Sequence, residues 1–526
     1  YMSETEVICT SPMHLDAMNR VSLKLTLNGV DYTVVAIFEY IYDVSLTSIY
    51  PYMGAISGGT VVLVKGFDFI DSDYLRCQFG DSVVNGRLIS SRQIECISPE
   101  SITSGSIPLK ISLNGVDFFS SPYATYIYYK DVVVESLQPS FGSYIGGTKV
   151  SLYGKNFVFS KDLQCRFGLV TVPATFHSSS EIACTSPRNI ASFADVSVTN
   201  NGIDFSITRT SFEYRSPVEV SSIYPQRGSV SGGTALQIIG SGFHNSNTLK
   251  CTLGGVLALD VIFLSSTEVV CISPSTKSSK GYVSLMVTTN GVDFIEGPPF
   301  EFIPDALVTS VYPNMGPISG GTPVVISGQN ILDGDSLMCR FGDEVVQGRW
   351  ISAGKIECLS PSVDSAAALI VGLSLNGVDF VASQSIIFTY YKETEVDSLW
   401  PSFGSYTGGT LVIVHGRNYI FSKNLHCRFG LVTVHAMFHS SNEIACETPS
   451  TGEIGTSNVS VSNNGVDFSF ENKSFEFTNP VEVMNVWPLW GSVRGGTLIV
   501  VKGSGFIDTD ALGCMFGEVE ASDVKY

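Results

Sequence analysis

Ten cysteines of this chain fall into five pairs at one recurring spacing: Cys77 and Cys96, Cys165 and Cys184, Cys251 and Cys271, Cys339 and Cys358, Cys427 and Cys446. The separation is 19 residues in four pairs and 20 in one. Thiols placed in this way can close a disulfide or bind a metal. A structural zinc site needs three or four ligands at short spacing, and only two thiols recur. The pattern therefore reads as one disulfide per repeat, in an oxidising, extracellular compartment. Closing a loop of that size contributes roughly 3 kcal/mol. Two cysteines are left over. Cys9 precedes Thr-Ser-Pro, as the second cysteine of a pair does, and Cys514 precedes Met-Phe-Gly, as the first does. Cys514 and Cys9 are expected to complete a split module when copies are joined end to start.

The remaining candidate chemistry is thinner. Asp71 and Asp73, Asp333 and Asp335, and Asp508 and Asp510 form Asp-x-Asp pairs whose oxygens suit calcium. Further acidic ligands are missing nearby, and Asn245/Asn247, Lys161 and Lys423 occupy the corresponding loops. A solvated acidic turn is the better reading, and no metal site is expected. His415, His426, His435 and His439 crowd one repeat, whereas its counterpart has only His177; they read as surface histidines. Asn458 and Asn472 open Asn-x-Ser acceptor sequences for glycosylation. No Ser-His-Asp arrangement appears, and the recurring Gly-Gly-Thr is too short for a phosphate loop and lacks its Lys. No catalytic residue, cofactor or enzymatic activity is expected.

The elements that carry these residues are short and β-branched. Val61-Val62-Leu63-Val64 follows one Gly-Gly-Thr turn, and Leu109, Ile111 and Leu113 alternate before Asn114-Gly115. Such runs, broken by Gly, Pro and Asn turns, predict an all-β fold of antiparallel sandwiches. Asn-Gly at Asn28, Asn114, Asn201, Asn290, Asn376 and Asn464 predicts a two-residue hairpin turn in which both residues take positive φ. Connections such as Tyr128-Tyr129-Lys130-Asp131-Val132 contain no flexible Gly/Ser spacer. Neighbouring modules should pack end to end with restricted bending.

Together these motifs resemble the IPT/TIG domains, immunoglobulin-like sandwiches of plexins, fibrocystin and protist surface proteins. The resemblance rests on Pro-x-x-Gly-x-x-x-Gly-Gly-Thr (Pro139 to Thr148), Gly-x-x-Phe (Gly154 to Phe157), Cys-x-Phe-Gly (Cys165 to Gly168), Ile-x-Cys-x-Ser-Pro (Ile182 to Pro187) and Asn-Gly-x-Asp-Phe. It implies a linear tandem array of binding or spacing units without an active site. The expected modules are 44–130, 131–215, 216–304, 305–392 and 393–479, with a C-terminal half module at 1–43 and an N-terminal half module at 480–526.

Gly58, Gly146, Gly232, Gly320, Gly408 and Gly495 open the Gly-Gly-Thr turns at steps of 86 to 88 residues, and modules match best three apart. Residues 139–184 and 401–446 are identical at 33 of 46 positions. The three-module unit is either a plain tandem duplication or the repeat of a lateral lattice. Joining the two ends gives a Cys514-to-Cys9 spacing of 21, against 20 in the third complete module. A longer continuous chain is favoured over separate chains that complement one another, because half a sandwich exposes edges and apolar face.

A formal charge of -19, with no basic cluster, excludes nucleic acid as a partner. No run of 18 apolar residues occurs, so no membrane span is expected in this segment. Charged residues are only 15% of the chain, a surface that tolerates lateral packing. The leading expectation is a structural extracellular filament, such as a flagellar hair or cell-surface fibre, self-associating head to tail and laterally. The alternative is an adhesion or receptor ectodomain in which the array is a spacer or binding module for surface proteins or glycans.

Overall fold

In the computed structural model, which describes residues 5–13, 20–276 and 280–526, the chain forms strands and turns and no helix. The second complete module shows the plan. Its strands are β1 (Val133–Gln138), β2 (Phe141–Ser143), β3 (Lys149–Lys155), β4 (Gln164–Phe167), β5 (Val170–Ser178), β6 (Glu181–Thr185), β7 (Phe193–Thr199) and β8 (Thr210–Arg215). One antiparallel sheet runs β1-β3-β6-β5. The other runs β5-β4-β7-β8, with β2 added parallel to β8. β5 serves both sheets, pairing with β4 up to Pro173 and with β6 from Ala174. In the third complete module this strand is interrupted, as Val256–Leu257 and Asp260–Ser265, and the sheets separate into five and four strands.

Period-2 alternation explains how the two sheets close. Val150 and Leu152 of β3 and Ile182 of β6 face Phe167, Val196, Val198 and Phe212 of the other sheet, all at most 1% exposed. Phe167 and Phe212 meet edge to face with centroids 5.5 Å apart, an arrangement worth about 0.5–1.5 kcal/mol beyond burial. Each complete module has its own buried cluster of this kind.

A disulfide crosses each of these cores. Cys165 on β4 joins Cys184 on β6, linking the two sheets, and the other four pairs are Cys77–Cys96, Cys251–Cys271, Cys339–Cys358 and Cys427–Cys446. Replacing both Cys165 and Cys184 by Ala is expected to cost the second module about 2–4 kcal/mol. Amide exchange should rise in peptides from 131–215 and stay unchanged elsewhere.

Buried phenols add a pH limit. Tyr128 donates to the Pro99 carbonyl at 2.8 Å and Tyr390 to the Pro361 carbonyl at 3.0 Å. Burial pushes both hydroxyls up to about 12. In the unfolded chain they ionise near pH 10. Their contribution is therefore complete below about pH 10 and lost as the pH rises towards 12. Absorbance of tyrosinate should show a late titrating set that coincides with alkaline unfolding; titration of all tyrosines near pH 10 would contradict this.

The two terminal stretches are partial sandwiches. Arg20–Leu25 pairs with Thr33–Glu39, and Glu482–Trp487 pairs with Val500–Ser504. Phe38 and Phe516, whose counterparts Phe300 and Leu253 are buried in the third complete module, stand exposed on them.

The Asn-Gly segments correct the sequence expectation. Only the glycine takes positive φ, as Gly202 does at 78°, and the asparagine does not. The segment lies in a loop of residues 200–209 between β7 and β8. Asn201 Oδ1 accepts from the backbone N–H of Ile203 at 3.1 Å and of Asp204 at 2.9 Å. That side-chain turn replaces the two-residue hairpin, because an Asn carbonyl can mimic a backbone acceptor.

Candidate functional site: the junction between modules

The recurring motifs converge where one module meets the next. The Gly-Gly-Thr turn is held in place by the Ser of the Cys-x-Ser-Pro segment. Ser186 Oγ accepts from Thr148 N–H at 3.2 Å, and the Ser186 carbonyl accepts from Gly147 N–H at 2.9 Å. With its backbone engaged, Thr148 turns its hydroxyl towards the following module.

That module presents its Asn-Gly-x-Asp loop. Thr148 Oγ1 donates to Asp293 Oδ2 at 2.6 Å, and Asn290 Nδ2 donates to the Phe141 carbonyl at the start of β2. Asn290 also donates to Asp293 at 2.8 Å, which aims the carboxylate. The same latch closes every boundary between complete modules: Thr60 to Asp204 at 2.7 Å, Thr234 to Asp379 at 2.6 Å and Thr322 to Asp467 at 2.7 Å. Asn201, Asn376 and Asn464 donate to the carbonyls of Met53, Arg227 and Met315. Asn201, Asn290, Asn376 and Asn464 are at most 5% exposed, and buried polar groups with partners at this density favour one arrangement over neighbouring ones.

Two further features position the latch. In three modules the Arg of Cys-Arg-Phe-Gly lies over the Phe of the loop, with Arg166 3.9 Å from the Phe205 ring centroid, Arg428 4.0 Å from Phe468 and Arg340 4.8 Å from Phe380. The linker is gripped from both sides. Asp131 accepts from Ser57 Oγ of the preceding module at 2.6 Å, and its carbonyl accepts from Asn156 Nδ2 of the following one at 2.7 Å. Asp305 with Asn330, and Glu393 with Asn418, repeat the second contact at 2.8 Å. Asn156, Asn330 and Asn418 take φ of 66°, 57° and 65°, a region Asn tolerates better than most residues. Apolar packing completes the joint, since Met53 and Tyr129 belong to the core cluster of the second module.

The other sequence candidates do not gather into a site. Among the described residues no group of three or more His, Cys, Asp or Glu could hold a metal. The Asp73, Asp333 and Asp335 carbonyls accept from Arg76, Arg227 and Gln347. His426 and His435 meet edge to face on paired strands, while His415 and His439 flank Glu443 at 3.6 and 3.1 Å. Asn458 and Asn472 are exposed on the fifth complete module, residues 393–479, and Asn458 pairs with Ser474 across neighbouring strands. Cys9 is free and exposed, and Cys514 is free and half-buried. The sequence reading missed the latch, because its two halves lie 144 or 145 residues apart in different modules. The available signal was the joint recurrence of Thr in one motif and Asp in another.

A cleft of about 230 Å³ lies between the fourth and fifth complete modules and is lined by Tyr391, Glu393 and Asp467, among others. Among the described residues no helix is long and apolar enough to cross a membrane. Five buried disulfides mark an oxidising environment, and the array is extracellular.

Comparison with known proteins agrees with this plan. The chain is 22% identical to mouse (Mus musculus) fibrocystin-L over 377 residues, covering 70% of this chain and 9% of that protein. It is 26% identical to human (Homo sapiens) fibrocystin-L over 368 residues, covering 66% of this chain and 8% of that protein. It thus spans less than a tenth of the curated relatives it matches. Among solved structures, the full extracellular region of plexin A4 aligns at 14% identity and a TM-score of 0.30, over 91% of this chain and 56% of that one. Invasin, a bacterial integrin-binding protein, aligns at 10% identity and a TM-score of 0.20, over 68% of this chain and 82% of that one. The family model described as IPT/TIG domain matches residues 45–128, 133–214, 217–300, 306–390, 395–477 and 480–525, one match for each Gly-Gly-Thr turn, and the chain belongs to that family.

Proposed function

We propose that this array acts mechanically, as a stiff spacer in the ectodomain of an adhesion- or receptor-type surface protein. The single observation that carries this reading is the latch repeated at all four boundaries between complete modules. A tether meant to flex would use Gly/Ser connections and leave neighbouring domains unlinked. Here each boundary combines a charged hydrogen bond, a buried asparagine and a short linker. At roughly 30–40 Å per module, five modules hold their ends about 150–200 Å apart. The role is non-catalytic: surface proteins or glycans would be met by parts of the molecule that the rod holds out.

A second reading is a structural filament in which copies run head to tail and pack laterally. The three-module recurrence favours it. Electron microscopy of native cell surfaces labelled against residues 44–479 separates the two. Single rods projecting from the membrane support the spacer. Continuous fibres carrying label along their length would reject it in favour of the filament.

A further inference from the structure

We infer that the joint between the second and third complete modules is the compliant point of the rod, held by its latch without the supports that the other joints carry, and that the three-module recurrence places one such joint in every three. This deepens the spacer reading and rests on it.

At the other three joints between complete modules the linker is gripped from both sides. The module before the linker bonds its carboxylate: Ser57 donates to Asp131, Ser229 and Ser231 donate to Asp305, and the Ser319 N–H donates to Glu393. The module after it bonds the carbonyls of the same three residues through the amides of Asn156, Asn330 and Asn418. Between the second and third modules both grips are lost by residue type. Pro217 stands where the carboxylate would be, Gly242 where the asparagine would be, and Ile145 where Ser57, Ser231 and Ser319 stand. None of these three side chains can donate or accept a hydrogen bond. Gly242 takes φ of 75°, and a Cβ there would clash with the Pro217 carbonyl oxygen, so the linker backbone lies too close for an asparagine.

The loop loses its clamp at the same joint. Where Arg166, Arg340 and Arg428 lie over Phe205, Phe380 and Phe468, the third complete module has Thr252. Its loop Phe294 stands exposed, whereas the other three phenylalanines are half-buried. Among the described residues the hydrogen bonds that cross this joint are those of the latch, Thr148 to Asp293 and Asn290 to the Phe141 carbonyl. A tilted contact of His244 with the Phe141 ring, at 6.5 Å, adds little. The same replacements recur 263 residues on, as Pro480, Gly505 and Met515. The long period of the sequence thereby acquires a mechanical consequence: a rod that yields at one joint in three can reorient what it carries and keep its reach.

The test images the purified 526-residue chain as single particles by electron microscopy, with an antibody fragment bound to the first complete module to set the direction of the rod. The expected result is that, of the four joint angles, the one between the second and third modules is the broadest, with a strongly bent fraction at least about tenfold above that of the other three. The Asp131→Ala, Asn156→Gly, Arg166→Thr triple variant, checked by circular dichroism, should broaden the first joint to match. A first joint that stays narrow in the folded variant would overturn the inference. Four equally narrow joints in the native chain, or a different joint as the broadest, would overturn it and leave the stiff spacer standing. Four equally broad joints would overturn the inference and the spacer reading together.

Discussion

Alanine at Gly146 is expected to unfold the second module and leave its neighbours folded, at a cost of about 3–5 kcal/mol. Gly146 has φ of 87°, where an L side chain is strained by roughly 1–2 kcal/mol. The larger part is steric. A Cβ there would lie 2.7 Å from the Arg188 nitrogen and 2.7 Å from the Pro187 carbonyl carbon, both backbone atoms that cannot swing aside. Separating them would drag Ser186 away from Thr148 and open the turn that carries the latch. Gly147 is the internal control. Its φ of 91° is just as unusual, but nothing lies within 4 Å of its Cβ position. Gly147→Ala should therefore cost only about 1–2 kcal/mol. Exchange mass spectrometry on the whole chain reads both: peptides from 131–215 should lose protection in Gly146→Ala and keep most of it in Gly147→Ala.

The second large effect is at the joint. Asp293→Ala leaves the buried Thr148 hydroxyl without its acceptor and Asn290 without the carboxylate it orients. A hydrogen bond to a charged group contributes about 1.5–3 kcal/mol, and the loss falls on the contact between modules. Each sandwich keeps its disulfide and core, so the modules should stay folded while the angle between the second and third broadens in single-particle images. Asp117→Ala removes the same residue type from an exposed loop and should leave every angle unchanged. A narrow angle in Asp293→Ala would show that linker and apolar packing hold the joint by themselves.

Much of the module was legible in the sequence because its signals are local. The β-branched run after each Gly-Gly-Thr became β3 and its equivalents, and alternation placed Val150 and Leu152 inward. Cysteines at a constant spacing lie on β4 and β6, and the short linkers did correspond to tight joints. The latch was not legible. Asn-Gly carries a strong local preference for a hairpin turn, and that preference lost to a side-chain turn in which Asn201 caps Ile203 and Asp204. Asp204 then finds Thr60 across a module boundary, a contact that no window along the chain contains. Asp71 and Asp73, read from the sequence as a solvated acidic turn, belong to a pair that repeats at fewer positions than the Asp of the loop, which does the joining.

The most direct measurement is small-angle X-ray scattering on the purified chain beside the variant with Asp204, Asp293, Asp379 and Asp467 all replaced by Ala. The latched chain should scatter as a thin rod about 200 Å long, and the variant should show a shorter mean extension with every module still folded. Superimposable rod-like profiles for the two proteins would contradict the claim that the Thr–Asp latch makes this array stiff.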